Sequence, residues 1–484
     1  MSLKGQTVKG LFWSIGERAV TQGSLFIISL VLARILGPTK YGIVAMLLVF
    51  INIADVFVTN GLAEALIQKN DASERDYATV FTSGLFLSFI LYVILFICAP
   101  LIAAFYGDES MVMLLRVLGL RLPCSSMNAI QRAYVSKGLK FKEFFIGSSA
   151  GAISAGIIGI CLAYFGAGTY ALVIQQILNM LISTVILVKV THWHPRFGFS
   201  IGSARSVLPI GAQLSLANLI NVLYTEGRAL IIGKFYSSDA LAYYNRGNQF
   251  PSLIIGNINA PISNVMLPIM SKVSADKVKL KAAVRRSMRI SAYLLFPCMG
   301  FLIAAAEPLV KVLLSDAWIN SVPFLQLASL FYLFQPMQTM NWQALKAAGR
   351  CDLCLKLEII KKIICFVFLF VSIPFGVKAI AFASVIAGVL SMLINMAPNG
   401  RVIGYSMIEQ LKDLIAPLIL TVFASVPIIL INDLFSSIPA IVILLIDAFL
   451  GCFIYVIISI LIKNDSFYFI FNSIKVKFKR KYNE

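Results

Sequence analysis

The sequence predicts an all-α polytopic membrane protein with about 14 transmembrane helices. Hydrophobic residues make up 59% of the 484 residues and charged residues 13%, whereas soluble domains are near a quarter charged. Apolar stretches of roughly 20 residues, long enough for a helix to cross a bilayer, recur from end to end. The short alternating segments of a membrane β-barrel are absent from the sequence.

These apolar stretches give the predicted order of the helices. The predicted spans are 11–36, 41–67, 79–105, 111–137, 145–165, 168–190, 205–234, 240–268, 284–306, 319–346, 355–374, 377–398, 411–431 and 438–462. The longest internal loops are 191–204 and 269–283, and neither is large enough to form a soluble domain.

The distribution of lysine and arginine supports this span count. With the N-terminus in the cytoplasm, an even number of spans returns the C-terminus there. The segments placed outside then hold few basic residues, namely Arg34, Lys40, Lys234, Lys311 and Lys378. Such a positive-inside bias predicts a multi-pass protein with both termini cytoplasmic. It accounts for most of the net charge of +19 without a nucleic-acid partner.

The two halves of the chain resemble each other. Pro100 ends span 3 and Pro308 ends span 9, and each is followed by a short acidic loop and a span with a central proline. A repeat of an even number of spans predicts two lobes related by a pseudo-two-fold axis along the membrane normal. The predicted boundaries are 1–200 for the N-terminal six-helix lobe, 201–400 for the C-terminal six-helix lobe, 401–462 for accessory helices 13 and 14, and 463–484 for a basic cytoplasmic tail. Aromatic and lysine residues of this tail are typical of a segment that contacts anionic lipid.

Polar stripes run along several of the predicted spans. In span 4, the positions i, i+4, i+7 and i+11 hold Arg121, Ser125, Asn128 and Arg132, which lie on one face of a helix. A charged side chain costs roughly 2.5–3.5 kcal/mol at the centre of a membrane helix on insertion scales. Similar stripes in spans 1, 2 and 7 comprise Ser14, Glu17, Thr21 and Ser24; Asn52, Asp55 and Thr59; and Asn218, Asn221, Thr225 and Arg228. Together they predict a water-filled cavity that attracts anions, although Ser, Thr and Asn also serve helix packing.

The net charge of this cavity is left open by the sequence. Arg18, Arg228 and Arg246 join the span 4 arginines as intramembrane cations, but intramembrane acids are present as well. Glu17 and Asp55 are candidates for coupling to a H⁺ or Na⁺ gradient. Arg246 lies among tyrosine and amide side chains that suit either sugar recognition or an interfacial belt.

Motifs for enzymatic or metal chemistry are weak. The sequence has no phosphate-cradling G-x-x-x-x-G-K-[ST] and no large external loop, which argues against an enzyme. The eight cysteines are scattered, and the Cys351–Cys354 pair lacks a second pair at zinc-finger spacing. No resident cofactor or metal is therefore predicted.

Four motifs in order resemble the polysaccharide flippases of the multidrug/oligosaccharidyl-lipid/polysaccharide exporter superfamily. They are residues 32–42 (LARILGPTKYG), 128–142 (NAIQRAYVSKGLKFK), 265–273 (VMLPIMSKV) and 318–328 (WINSVPFLQLA). The similarity extends over spans 1 to 12 and is strongest to the colanic-acid and teichuronic-acid exporter branch. Arg132 falls within the second motif, whereas the other cavity arginines rest on the stripes alone.

The resemblance implies a monomeric two-lobed bundle that alternates between inward-open and outward-open states. Its substrate would be an undecaprenyl-pyrophosphate-linked oligosaccharide, moved across the bacterial inner membrane for lipopolysaccharide, capsule or exopolysaccharide synthesis. The implied partners are a polysaccharide polymerase and glycosyltransferases. Two alternatives remain open: a multidrug or organic-cation antiporter of the same superfamily, and a non-transporting membrane scaffold for polysaccharide enzymes.

Overall fold

The computed structural model describes residues 13, 16–69, 71–435, 438–469 and 471–472. Every regular element in these ranges is helical and none is a strand, which confirms the predicted all-α class. Ser14, which belongs to the polar stripe predicted for span 1, lies outside the described ranges, as do residues 475–481 of the basic tail.

The chain divides into two compact units, Met1–Ala242 and Tyr243–Glu484. The helices of the first unit are α1 (Gly23–Asp55), α2 (Gly61–Gln68), α3 (Glu74–Tyr106), α4 (Met111–Gly119), α5 (Arg121–Lys137), α6 (Phe141–Tyr164), α7 (Thr169–Thr191) and α8 (Ile201–Phe235). Helix α8 packs on α1, α2 and α3 within the first unit. The predicted lobe boundaries, 1–200, 201–400, 401–462 and 463–484, stay predictions. The predicted internal repeat stays a prediction.

Helix α9 (Ser238–Lys272) begins in the first unit and continues into the second. The remaining helices are α10 (Lys277–Ala304), α11 (Ala306–Leu313), α12 (Val322–Leu333), α13 (Gln335–Ala347), α14 (Cys351–Ser372), α15 (Val377–Val402), α16 (Met407–Leu434) and α17 (Ala440–Leu461). The short 3₁₀ helix Asp316–Ser321 connects α11 to α12, and the short 3₁₀ helix Ile373–Phe375 connects α14 to α15.

Ten helical runs of the described residues are long and apolar enough to cross a membrane. The first of them, Arg18–Gln68, includes residues 18–36 of the first predicted span and the whole of the second. Gly37 separates the two spans in a left-handed conformation (φ 72°) directly before Pro38. The helices in predicted spans 4, 8 and 11 are absent from the ten. In span 4 the chain forms two helices of 9 and 17 residues, each too short to cross a bilayer by itself. The chain is a multi-pass membrane protein, and the number fourteen stays a prediction.

Prolines divide two of the predicted spans into consecutive helices. Span 111–137 is interrupted between α4 and α5, because Pro123 has no N–H to donate to the Gly119 carbonyl one turn earlier. The Leu120 N–H instead bonds to the Val117 carbonyl, which tightens the last turn of α4. Pro336 has the same effect between α12 and α13.

Helices α6 and α7 pack closely through a row of small residues. A Cβ added at Gly147 would lie 2.5 Å from Leu187 Cγ, and one at Gly151 would lie 2.8 Å from Ser183 Cβ. The spacing of four between these glycines is the small-xxx-small pattern that lets membrane helices approach through their backbones.

A buried polar network joins four helices of the second unit. Asn341 on α13 donates to the Gln410 side chain on α16 at 2.8 Å and accepts from Asn399 on α15 at 2.8 Å. Arg285 of α10 donates two hydrogen bonds to Asp413, which is also on α16, at 2.6 and 2.8 Å. These bonds satisfy polar groups that packing would otherwise leave unpaired.

Candidate functional site

The polar cluster of the first unit forms where the last turn of α1 meets the first turns of α5. The Arg121 Nη2 atom lies 3.4 Å from Asp55 Oδ2, and the Ser125 hydroxyl donates to the same oxygen at 3.2 Å. Both charged side chains are largely buried, with exposed fractions of 13% and 14%. Arg121 and Ser125 both reach Asp55 because residues four apart share a helix face. The pair leaves Asp55 Oδ1 and Arg121 Nε buried without a hydrogen-bond partner among the described residues.

One turn earlier, α1 makes a second polar contact. The Asn52 amide donates to Glu226 Oε1 on α8 at 3.0 Å. Asn52 and Asp55 lie three residues apart and therefore on one side of α1, which the predicted stripe of span 2 anticipated. The contact with Glu226 was not anticipated, because helical periodicity identifies a face but does not identify the helix that faces it.

A π-helical turn, Val56–Asn60, begins directly after Asp55. The Thr59 hydroxyl donates to the Asp55 carbonyl oxygen at 2.8 Å within this turn. A second π-helical turn, Arg18–Gln22, precedes α1. Single π turns inside α-helices are frequent at functional sites, and no feature of the sequence indicated these two.

The predicted stripe on α5 divides among different neighbours. Asn128 is buried and donates to Ser183 Oγ and Thr184 Oγ1 of α7, at 3.2 Å each, so it serves helix packing. Arg132 is exposed, and its guanidinium lies 5.5 Å from the centre of the Phe144 ring on α6. The structure thus brings Arg121 and Ser125 together on Asp55 and does not bring Asn128 or Arg132 to that cluster.

The other predicted substrate-binding residues of the first unit lie on α8 and beside α1. Arg228 is partly buried and donates to the Tyr224 hydroxyl at 2.8 Å. Asn221 is exposed and Asn218 is partly buried. Arg18 is exposed in the π-helical turn that precedes α1.

Arg246 belongs to the second unit and is buried on α9. It donates to the side chain of Gln249, and its guanidinium lies 5.5 Å from the centre of the Trp318 ring. Its contacts are those of a residue that holds the local packing together. The sugar-binding role stays a prediction.

Of the two predicted coupling acids, Asp55 is in the cluster and Glu17 is partly buried at the start of the first π-helical turn. No group of three or more His, Cys, Asp or Glu side chains that could hold a metal ion occurs in the ranges that the structure describes. The roles of Glu17 and Asp55 in coupling stay predictions.

A family model described as polysaccharide biosynthesis protein matches residues 31–323 of the chain. The chain belongs to this polysaccharide biosynthesis family. The matched part contains α1, α5 and α8, which carry the polar cluster. The resemblance predicted from the four motifs is confirmed.

Relatives of this polysaccharide biosynthesis protein come from several bacteria. It is 24% identical to the teichuronic acid biosynthesis protein TuaB of Bacillus subtilis (strain 168), over 76% of this chain and 77% of that protein. It is 22% identical to the lipopolysaccharide biosynthesis protein WzxC of Escherichia coli (strain K12), over 75% and 74%. A succinoglycan biosynthesis transport protein, ExoT of Rhizobium meliloti (strain 1021), is 24% identical over 66% and 64%. The chain is a homologue of transport proteins and is not an enzyme.

Solved structures show the same fold. The lipid II flippase MurJ in an inward closed conformation aligns with a TM-score of 0.75 and 16% identity, over 94% of this chain and 99% of MurJ. An inward-facing multidrug resistance MATE family transporter of the MOP superfamily aligns with a TM-score of 0.59 and 15% identity, over 79% and 96%. The polysaccharide biosynthesis protein therefore has a MurJ/MATE-like fold.

Proposed function

We propose that the chain is a flippase that carries undecaprenyl-pyrophosphate-linked oligosaccharide repeat units from the cytoplasmic to the outer leaflet of the bacterial inner membrane. The product would enter lipopolysaccharide, capsule or exopolysaccharide biosynthesis. The observation that carries the proposal is the family match over residues 31–323, together with relatives named for teichuronic acid and lipopolysaccharide biosynthesis.

The arginines of α5 supply the chemistry that a pyrophosphate group requires. Guanidinium groups bind phosphate oxygens through two parallel hydrogen bonds, which makes arginine the preferred residue for this recognition. Exposed Arg132 is available to an anion that arrives from solvent or the membrane surface. Arg121 holds Asp55, so an anionic substrate competes with that carboxylate for the same guanidinium.

This competition gives Asp55 a role in coupling. When a proton or Na⁺ neutralises Asp55, the ion pair weakens and Arg121 becomes available to the substrate phosphate. When the substrate leaves, Asp55 regains Arg121 and releases the cation. A charge that would otherwise stay unpaired inside the membrane is thus compensated in both states.

The proposal is tested by complementation in a strain that lacks this gene. The wild-type chain is expected to restore the surface polymer and to clear lipid-linked repeat units from the inner leaflet. Restored polymer with Arg121→Ala and Arg132→Ala together, at normal protein abundance, would remove these arginines from the proposal. If the wild type instead raises resistance to organic cations and restores no polymer, the multidrug antiporter replaces the flippase.

The partners follow from the same proposal. A flippase delivers its cargo to a polysaccharide polymerase and receives it from glycosyltransferases, so both enzyme classes are expected beside it in the membrane.

We further propose that the chain works as a monomer with both termini in the cytoplasm. The basic tail would then lie on the anionic lipid of the cytoplasmic leaflet.

A further inference from the structure

Asp447 is the one charged residue of helix α17, which is otherwise composed of apolar and small side chains with a single tyrosine and serine. The residue lies two turns inside the helix, and its exposed fraction is 0%. An ionisable side chain inside a membrane helix is rare unless it has a partner or a functional role. The presence of a buried acid at this position therefore needs a physical reason of its own, because Asp447 is not part of the polar cluster of the first unit.

Asp447 differs from the other buried acids in its surroundings. Asp413 is paired with Arg285 and Arg289, and Asp55 with Arg121. Within the described ranges, no Lys or Arg forms an ion pair with Asp447, and neither of its carboxyl oxygens has a hydrogen-bond donor within 3.5 Å. A carboxylate in this position is neither neutralised nor solvated by the protein.

The nearest polar groups add further acceptors. The Asn432 amide on α16 faces the Asp447 carboxylate and stabilises it weakly from beyond 3.5 Å, while its Nδ2 atom donates to the Ala304 carbonyl oxygen at 3.1 Å. The Asn432 Oδ1 atom is buried and, among the described residues, has no hydrogen-bond donor. Three buried oxygen atoms, two from Asp447 and one from Asn432, thus lack a donor.

The backbone places these groups together at one end of three helices. Ala304 is the last residue of α10, and the carbonyl groups at a helix C-terminus carry partial negative charge. Ala304 packs in an apolar cluster with Ile428, one turn before Asn432, and with Leu444, one turn before Asp447. This packing encloses a set of oxygen atoms that carries negative charge, and no Lys or Arg side chain in the described part of the chain forms an ion pair with it.

We propose that Asp447, Asn432 and the Ala304 carbonyl form a binding site for a monovalent cation, either H⁺ or Na⁺. One carboxylate and one monovalent cation give a neutral site, which the membrane interior favours. If H⁺ binds, the protonated Asp447 carboxyl group has an O–H that can donate to one of the other oxygens. If Na⁺ binds, the oxygens of Asp447, Asn432 and the Ala304 carbonyl are its ligands. Ca²⁺ and Mg²⁺ require more oxygen ligands than this set provides, and the site has no sulfur or nitrogen ligand for a softer metal.

The site would take its cation from the outer side of the membrane. Helix α10 begins in the basic segment that the positive-inside rule places in the cytoplasm, and Ala304 lies at the opposite end. A role of this cation in driving transport rests on the proposed function, whereas binding of the cation does not.

The test measures the melting temperature of the purified full-length protein in detergent. Wild type is compared in equal concentrations of NaCl and choline chloride, at mildly acidic and mildly alkaline pH. A cation that binds the folded state raises the melting temperature by mass action. A higher melting temperature in NaCl than in choline chloride at fixed pH identifies Na⁺ as the bound cation. A higher melting temperature at acidic pH, without a difference between the two salts, identifies H⁺. Either result supports the site if Asp447→Asn abolishes it.

Asp433→Asn is the matched control, because Asp433 is an exposed acid adjacent to Asn432 and should leave the cation response unchanged. If Asp447→Asn does not fold, Asn432→Ala serves instead, and it is expected to weaken the apparent cation affinity by about tenfold. Equal responses to Na⁺ and to pH in wild type and in the folded site variants would overturn the proposal. The measurement needs no polymer, so its failure is distinct from a failure of the flippase assignment in cells.

Discussion

Arg121 and Asp55 form an ion pair that joins α5 to the end of α1, with 3.4 Å between Nη2 and Oδ2. The pair lies at the residue where α1 passes into a π-helical turn. A positive and a negative charge thus cancel inside the first unit, so the presence of an arginine in a membrane helix does not by itself indicate a free positive charge.

Arg121→Ala is expected to lower the free energy of unfolding by about 2 kcal/mol, because Asp55 then stays partly buried without its cation. Asp55→Asn added to this variant should recover about 1 kcal/mol, since the orphaned charge is removed as well. Thermal unfolding of the purified single and double variants measures both values. The control is Arg116→Ala, which removes a guanidinium that lies 4.3 Å from the centre of the Phe96 ring and donates to the Phe96 carbonyl oxygen at 3.4 Å, but pairs with no acid among the described residues. Strictly additive effects of Arg121→Ala and Asp55→Asn would contradict the pair.

Arg132→Ala should reduce surface polymer in the complemented strain while leaving stability within about 0.5 kcal/mol of wild type, because this side chain is exposed. Arg132→Lys should give an intermediate amount, since lysine keeps the charge but loses the bidentate geometry. Polymer is measured per unit of membrane protein. Arg196→Ala, which removes an exposed arginine from a loop, should export as wild type does. Equal polymer in all four strains would exclude a specific role for Arg132.

Gly151→Ala should destabilise the first unit, because the added Cβ would lie 2.8 Å from Ser183 Cβ and 2.9 Å from the Asn179 carbonyl oxygen. The expected loss is about 1–3 kcal/mol, the usual range for overpacking. At Gly23 a Cβ meets nothing within 4 Å, so Gly23→Ala should keep or slightly raise stability. Melting temperatures of the two variants measure the difference, and equal values would mean that α6 and α7 do not approach through Gly151.

Asp413→Asn should destabilise the second unit by about 3 kcal/mol, because the largely buried carboxylate accepts from Arg285, Arg289 and the Tyr405 hydroxyl. The control is Asp352→Asn, which breaks an exposed pair with Arg350 and should have no measurable effect on stability. Thermal unfolding of both variants in detergent provides the comparison. Equal stability of Asp413→Asn and wild type would show that this network does not hold α10 to α16.

The positions of the helices could largely be predicted from the sequence. The length of an apolar stretch and the interruption of a helix by proline or glycine depend only on neighbouring residues. Gly37 and Pro38 separate the first two predicted spans, as the sequence indicated. The sequence predicts one continuous span 4 with a central proline, whereas the structure has two helices there, one on each side of Leu120. The missing N–H of proline and the preceding glycine together end α4 at Gly119.

The contacts of the polar residues were less predictable. Asn128 has the same helical phase as Arg121, yet it bonds to Ser183 and Thr184 on α7. Glu226 is the hydrogen-bond partner of Asn52, which the sequence did not predict. Helical phase is set by residues a few positions apart, whereas the choice of partner depends on how distant segments pack, and that information is absent from any single helix.

The glycine row between α6 and α7 has a mechanical consequence. Gly147 and Gly151 let the two backbones approach at positions where a Cβ would clash, so the helices fit in one axial register. A slide of one turn would bring the side chain of Ala155 to the place of Gly151, where a Cβ would lie 2.8 Å from Ser183 Cβ. We therefore expect α6 and α7 to move as one rigid body in any conformational change of the protein. Bending would then take place in other parts of the chain.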